Sequence, residues 1–169
     1  MRKKSKYKPK GVRIDNMTWV MSGIKAFNSV SAGTDLRIKN HDAMDKLRRG
    51  VATRDDMDVL IGALNMCEGY MRLRPEFGVD WAAEIRAGQD ALLGVAKRGV
   101  ARGNRFVCKA EELTAINLVL EIHDAQLDQS TVNDMEKALA IVEKDQQHGK
   151  ARPVKEKEDA ERTCNSVHD

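Results

Sequence analysis

Residues 110–128, AEELTAINLVLEIHDAQLD, decide the fold of this chain. Strong helix formers fill the stretch and neither glycine nor proline interrupts it, so it predicts a long helix. On a helical wheel its polar side chains share one stripe about 80° wide, and apolar side chains spread over most of the remaining circumference. Such a helix needs neighbours on several sides. The stretch therefore predicts the central helix of a bundle.

Capping residues and apolar side chains at helical spacing predict further helices around the central one. Thr53 with Asp56 three residues later matches a capping box, and Pro75 ends the helix that this box opens. Gly88 and Gly94 lie inside a predicted helix, which indicates that a neighbouring backbone packs closely against them. The predicted helices cover about residues 15–27, 40–49, 53–73, 80–100 and 130–147. A loop is expected over residues 28–36, and residues 36–38 are the single candidate for a short strand.

These elements predict an all-α, single-domain helical bundle of five to six helices with two flexible ends. The length of 169 residues is typical of one domain with a sizeable core. Residues 1–14 are expected to form a flexible basic arm, residues 15–147 the helical bundle domain, and residues 148–169 a disordered charged tail.

The composition favours a protein that stays in the cytoplasm and makes no membrane contact. No apolar run approaches the roughly 20 residues that a membrane-spanning helix requires, and the basic N-terminus lacks the apolar core of a signal peptide. Cys67, Cys108 and Cys164 are far apart and odd in number, which favours reduced thiols over a disulfide framework.

Two clusters of basic residues are candidates for binding nucleic acid. Residues 1–13 hold seven Lys or Arg and no acid, which suits neutralisation of phosphates without sequence preference. A second acid-free cluster covers residues 97–109, where cations at a helix C-terminus can equally complement the macrodipole. The arm can equally be a solubilising tail. The predicted nucleic-acid-binding residues are Lys3, Lys4, Lys6, Lys8, Lys10, Arg13, Arg102 and Arg105.

His123 and Glu68 form a candidate buried polar pair. On the wheel His123 lies on the apolar side of the central helix, and Glu68 falls inside the apolar stripe of the predicted 53–73 helix. A buried pair of this kind would have perturbed pKa values and could perform general acid–base catalysis. The structural alternative, a polar pair that fixes packing in the core, is favoured.

The polar stripe of the central helix is a second candidate surface. Its carboxylates could bind a divalent cation if another helix supplied oxygen ligands, yet the Glu-x-x-His spacing of di-iron bundles is absent, and no zinc spacing occurs. No metal and no cofactor is therefore predicted. A solvated or salt-bridged face is favoured, and a contact surface for a basic partner is the alternative. The predicted interaction surface consists of Asn117, Glu121, Asp124 and Asp128.

Five phrases of the sequence together carry a family resemblance: KYKPKGVRID, LRIKNHDAM, ATRDDMDVLI, EIRAGQDALL and ELTAINLVLEIHDAQLD. They resemble small helical proteins encoded by tailed phages and prophages of proteobacteria, over about residues 6–144. The resemblance brings no catalytic residues with it. It implies a setting, namely a small protein made in the cytoplasm of an infected bacterium, where such proteins often act by binding.

Three functions follow as hypotheses. The first is a non-enzymatic, phage-type accessory protein whose basic arm engages nucleic acid or an anionic partner. The second is a protein that binds a host or phage protein through its helical surface, for example as an anti-defence inhibitor. The third is a metal-dependent hydrolase that uses His123 and Glu68. Glycine-lined helices are also compatible with a homo-oligomer.

Overall fold

Five α-helices account for most of residues 32–148, the part of the chain that the computed structural model describes. No strand lies among these residues, and the prediction of an all-α helical bundle is confirmed. No helix within them is long and apolar enough to span a membrane. The helices are α1 (Ala32–Arg49), α2 (Arg54–Leu73), α3 (Ala82–Val100), α4 (Ala110–Gln129) and α5 (Val132–Gln147), with two 3-10 turns, Pro75–Phe77 and Val79–Trp81, between α2 and α3.

The predicted central helix, α4, packs against α1, α2 and α3. Ile116, Val119, Leu120 and Leu127 of α4 are fully buried in the core. The helix α2 contacts all four other helices, including α5. The core is therefore built on the pair α2 and α4, and one side of α4 is not covered by any helix of the described part.

Capping boxes begin α2 and α5, and the box at the start of α2 confirms the prediction. Thr53 accepts a hydrogen bond from the backbone N–H of Asp56, and the Asp56 carboxylate accepts one from the Thr53 N–H at 2.8 Å. Thr131 and Asp134 repeat the arrangement at the start of α5. The predicted start of α3 at Asp80 is wrong, because residues 79–81 form a 3-10 turn and α3 begins at Ala82.

The helix α1 begins eight residues earlier than the sequence predicts. The structure has helix from Ala32, so the expected loop over residues 28–36 ends earlier and the strand candidate at 36–38 is wrong. Tertiary contacts explain the difference: Leu36 packs against the cluster around Tyr70 and Phe77, and Arg37 pairs with Asp128 of α4 at 2.7 Å. Packing thus overrides the weak local signal of this segment.

Three predicted elements lie outside the described residues: the basic arm of residues 1–14, the helix of residues 15–27, and the tail of residues 148–169 except for His148.

Glycine allows α3 to approach α4 closely at one of the two predicted positions. A Cβ atom on Gly88 would lie 3.0 Å from the Ala115 carbonyl oxygen and would collide with Val119, which confirms the prediction for this residue. The prediction for Gly94 is wrong, since the nearest atom to its Cβ would belong to the flexible Arg98 side chain.

We expect Gly88→Ala to destabilise the bundle, because overpacking typically costs about 1–3 kcal/mol and outweighs the gain in helix propensity. The matched control is Gly62→Ala, since Gly62 is an exposed position of α2 where an added methyl group would have no atom within 4 Å. That control should stabilise the protein by about 1 kcal/mol. Urea unfolding measures both values, and equal stabilisation by the two substitutions would contradict the close approach of α3 and α4.

Candidate functional site

The connection between α3 and α4 is a basic part of the described chain. We name residues 97–109 the basic loop, although they include the last turn of α3. They carry five cations and no acid. Lys97, Arg102, Arg105 and Lys109 are exposed, whereas Arg98 is half-buried. The sequence-predicted residues Arg102 and Arg105 therefore lie on one accessible connection.

Phe106 anchors the basic loop to the core. Its side chain is buried, and its ring packs so closely on Gly99 that a Cβ atom at Gly99 would collide with it. The chain turns at Gly103 and Asn104, which have φ values of +69° and +66°. Glycine and asparagine are the residues that adopt this left-handed conformation most readily. The cations on both sides of Phe106 are thus carried by a loop of defined conformation.

Arg98 is the cation of the basic loop that forms an ion pair within the protein. Its guanidinium contacts the Glu112 carboxylate at 2.6 Å, and the Lys109 backbone N–H donates to the same oxygen at 2.9 Å. Burial raises the pKa of Glu112, but these two hydrogen bonds outweigh it and hold the pKa below its ordinary value. Lys97, Arg102 and Arg105 form no ion pair with any residue between 32 and 148.

The predicted acidic surface of α4 is engaged within the chain. Arg37 of α1 pairs with Asp128 at 2.7 Å, and His41 of α1 contacts Asp124 at 2.7 Å. Asn117 donates to Glu121 at 2.7 Å. The salt-bridged alternative describes Asp124 and Asp128 correctly, because these carboxylates hold α1 against α4.

The predicted pair of His123 and Glu68 does not form. Glu68 is half-buried at the edge of the core and accepts a hydrogen bond from Gln89 at 2.8 Å, with Arg86 at 3.9 Å. His123 is fully buried, and neither ring nitrogen has a hydrogen-bond partner among the described residues. Wheel positions alone could not show that Glu68 turns towards α3, where Gln89 and Arg86 are available.

A groove on the uncovered side of α4 is a feature that the sequence analysis missed. One cavity of about 350 Å³ lies between α4 and the two 3-10 turns, and a second of about 380 Å³ lies between α4 and Arg48 of α1. Leu118 and Glu121 line both cavities, so we treat them as one central-helix groove. Its apolar lining includes Trp81, Phe77, Leu113, Leu118, Ile122 and Ala125.

Leu118 and Ile122 lie beside the polar stripe on the helical wheel. This position in the sequence pattern could have indicated the groove. A central helix with neighbours on several sides would bury both side chains, whereas the structure leaves them half-exposed.

Within residues 32–148 no group of three or more His, Cys, Asp or Glu side chains is arranged to hold a metal ion. Cys67 and Cys108 are not activated as nucleophiles. Burial raises the pKa of the Cys67 thiol to about 12 and that of the Cys108 thiol to about 11.

Comparison of the chain with protein-family models, with curated protein sequences and with solved structures gives no match.

We expect the neutral, buried His123 to make the fold sensitive to acid. Burial lowers the pKa of His123 to about 4, although the Asp124 carboxylate and the Gln126 side chain oppose part of this effect. The unfolded chain binds a proton at the ordinary histidine pKa of about 6.5, so acidification between these values favours unfolding. The free energy of unfolding should fall by about 3 kcal/mol between about pH 7 and pH 4.

Urea unfolding across this pH range measures the effect. His123→Leu should remove most of the slope, and His123→Gln provides a second neutral variant if the leucine does not fold. The control His148→Leu replaces an exposed histidine and should leave the slope in place. An unchanged slope in both His123 variants would contradict the assignment.

Proposed function

We propose that this protein is a non-enzymatic accessory protein that binds nucleic acid through its basic loop and its basic N-terminal arm. The observation that supports this proposal most strongly concerns the exposure and the ion pairing of Lys97, Arg102 and Arg105. They are exposed, they lie within one anchored connection, and no described acid pairs with them. Cations presented in this way neutralise backbone phosphates without reading sequence.

The helix macrodipole explains only part of the basic loop. Lys97 and Arg98 lie in the last turn of α3, where cations complement the negative end of the helix. Arg102 and Arg105 follow the end of α3 at Val100, and the effect of the dipole falls off within the last turn. A function outside the fold therefore accounts better for these two arginines than helix stabilisation does.

The basic arm adds a second set of cations to the proposed interface. Its seven Lys or Arg residues within thirteen positions are a denser concentration of positive charge than the basic loop carries. Such an arm suits salt-dependent contacts to phosphates, in the infected-cell setting that the resemblance to phage proteins implies. In this proposal the loop supplies a fixed contact and the arm supplies an extended one.

The test measures binding of the full, nuclease-treated chain to labelled single- and double-stranded DNA and RNA at about 50 and 200 mM salt. We expect binding that weakens steeply with salt. Arg102→Gln combined with Arg105→Gln removes two phosphate contacts, so the slope of log affinity against log salt on a DNA duplex should decrease by about 2. Deletion of residues 1–13 should reduce affinity and salt dependence further.

The matched control is Lys137→Gln combined with Lys144→Gln. These two cations are exposed on α5, and their removal changes the net charge by the same amount as the arginine variant. We expect the control to bind like the unaltered protein. The proposal is wrong if the unaltered chain binds none of the probes at the lower salt concentration, or if the arginine variant and the deletion both bind as it does.

A further inference from the structure

The central-helix groove is an apolar surface that the described residues leave open. Trp81 is 47% exposed at its edge, and the apolar side chains of Leu118 and Ile122 are half-buried along its floor. The groove is bordered by α1 on one side and by the two 3-10 turns on the other. Its apolar lining and its position along α4 suit one more helix of the bundle.

We infer that residues 16–27 of the same chain occupy this groove as an amphipathic helix. The sequence places Met17, Val20, Met21, Ile24 and Phe27 on one side of that predicted helix. This apolar side matches the apolar lining of the groove, and methionine adapts well to irregular surfaces. The inference does not depend on the proposed binding of nucleic acid.

The position of α1 brings the segment to the correct end of the groove. Arg37, in the second turn of α1, contacts Asp128 at 2.7 Å, and the neighbouring Gln129 lines the groove. The start of α1 at Ala32 therefore lies beside the C-terminal end of α4. Four residues, 28–31, separate Phe27 from Ala32, and a connection of this length spans up to about 15 Å.

The length of the segment also fits the groove. The lining residues of the cavity beside the 3-10 turns extend along α4 from Leu118 to Gln129, which is about 17 Å at the rise of an α-helix. A helix of residues 16–27 is about 18 Å long. Its tether makes binding intramolecular, with an effective concentration in the millimolar range for a short linker, which favours this segment over a second copy of the chain.

Docking of residues 16–27 in the groove would also determine at which end of the bundle the basic arm lies. The helix would run antiparallel to α1, because α1 starts where the segment ends, and thus parallel to α4. Residue 16 would then lie towards the N-terminal end of α4, which directly follows the basic loop. The arm of residues 1–14 would continue towards Arg102 and Arg105, and the two basic clusters would share one end of the bundle.

Trp81 reports directly on whether the groove is occupied. Trp19→Phe leaves Trp81 as the single tryptophan of the full chain, and position 19 lies on the predicted helix opposite the apolar side. In this background we expect blue-shifted emission and weak quenching by iodide. Adding Ile24→Asp should shift the emission to the red and greatly increase quenching, whereas the matched control Ser22→Asp, on the opposite side of the segment, should change neither.

Trypsin cleavage after Lys25 tests the same contact from the side of the groove. We expect slow cleavage at Lys25 and fast cleavage at Arg13 in the unaltered chain. Ala125→Glu places a charge in the exposed floor of the groove and should accelerate cleavage at Lys25 to the rate at Arg13. The matched control is Ala140→Glu, at an exposed position of α5, and it should leave Lys25 protected.

Three results would overturn the inference. The first is equal quenching of Trp81 with and without Ile24→Asp, because the groove is then open in the full chain. The second is protection of Trp81 that disappears on dilution together with a dimer in sedimentation, because a second copy is then the occupant. The third is fast cleavage at Lys25 in the unaltered chain. Far-UV circular dichroism verifies that each variant retains its helices.

Discussion

Apolar side chains cover more of the circumference of α4 than the other helices of residues 32–148 bury, and the rest of the described structure depends on this constraint. Buried residues such as Ile116 and Leu120 are covered by α1, α2 and α3. Gly88 allows α3 to approach until its backbone lies against Ala115 and Val119. Leu118 and Ile122 remain on the uncovered side, and the central-helix groove is the result.

Polar groups then determine how the neighbours of α4 are placed. The Gln126 amide donates to the carbonyl oxygens of Cys67 at 3.1 Å and Phe77 at 2.6 Å, which joins α4 to α2 and to the first 3-10 turn. The carboxylates of Asp124 and Asp128 hold α1 through Arg37 and His41. Asp124 and Asp128 therefore stabilise the fold, and the exposed cations of the basic loop carry the proposed function.

Local signals in the sequence predict a large part of this architecture. The extent of α4, the all-α class and the capping box at Thr53 depend on residues within a few positions of each other, and all three predictions are confirmed. The start of α1 was not predictable in this way, because Leu36 is held by contacts with residues far along the chain. The hydrogen-bond partners of a buried polar group also lie far from it in the sequence, so local patterns do not predict them.

The sequence likewise predicts only part of the candidate site. A count of charges located the basic loop, including Arg102 and Arg105, but a single phenylalanine in a polar stretch did not reveal that Phe106 anchors it. The groove was missed because helical periodicity shows which side chains are apolar and does not show which of them lack a neighbour. Leu118 and Ile122 have the same pattern as the buried residues of α4, and only the arrangement of helices distinguishes them.

We infer that residues 16–27 cover the central-helix groove. A methyl–methyl NOE spectrum of the 169-residue chain with labelled Ile, Leu and Val side chains tests this inference. We expect NOEs from Ile24 or Val20 to Leu118 and Ile122, with methyl shifts of Ile24 away from random-coil values. Random-coil shifts for Ile24 and no NOEs from residues 16–27 to α4 would contradict the account.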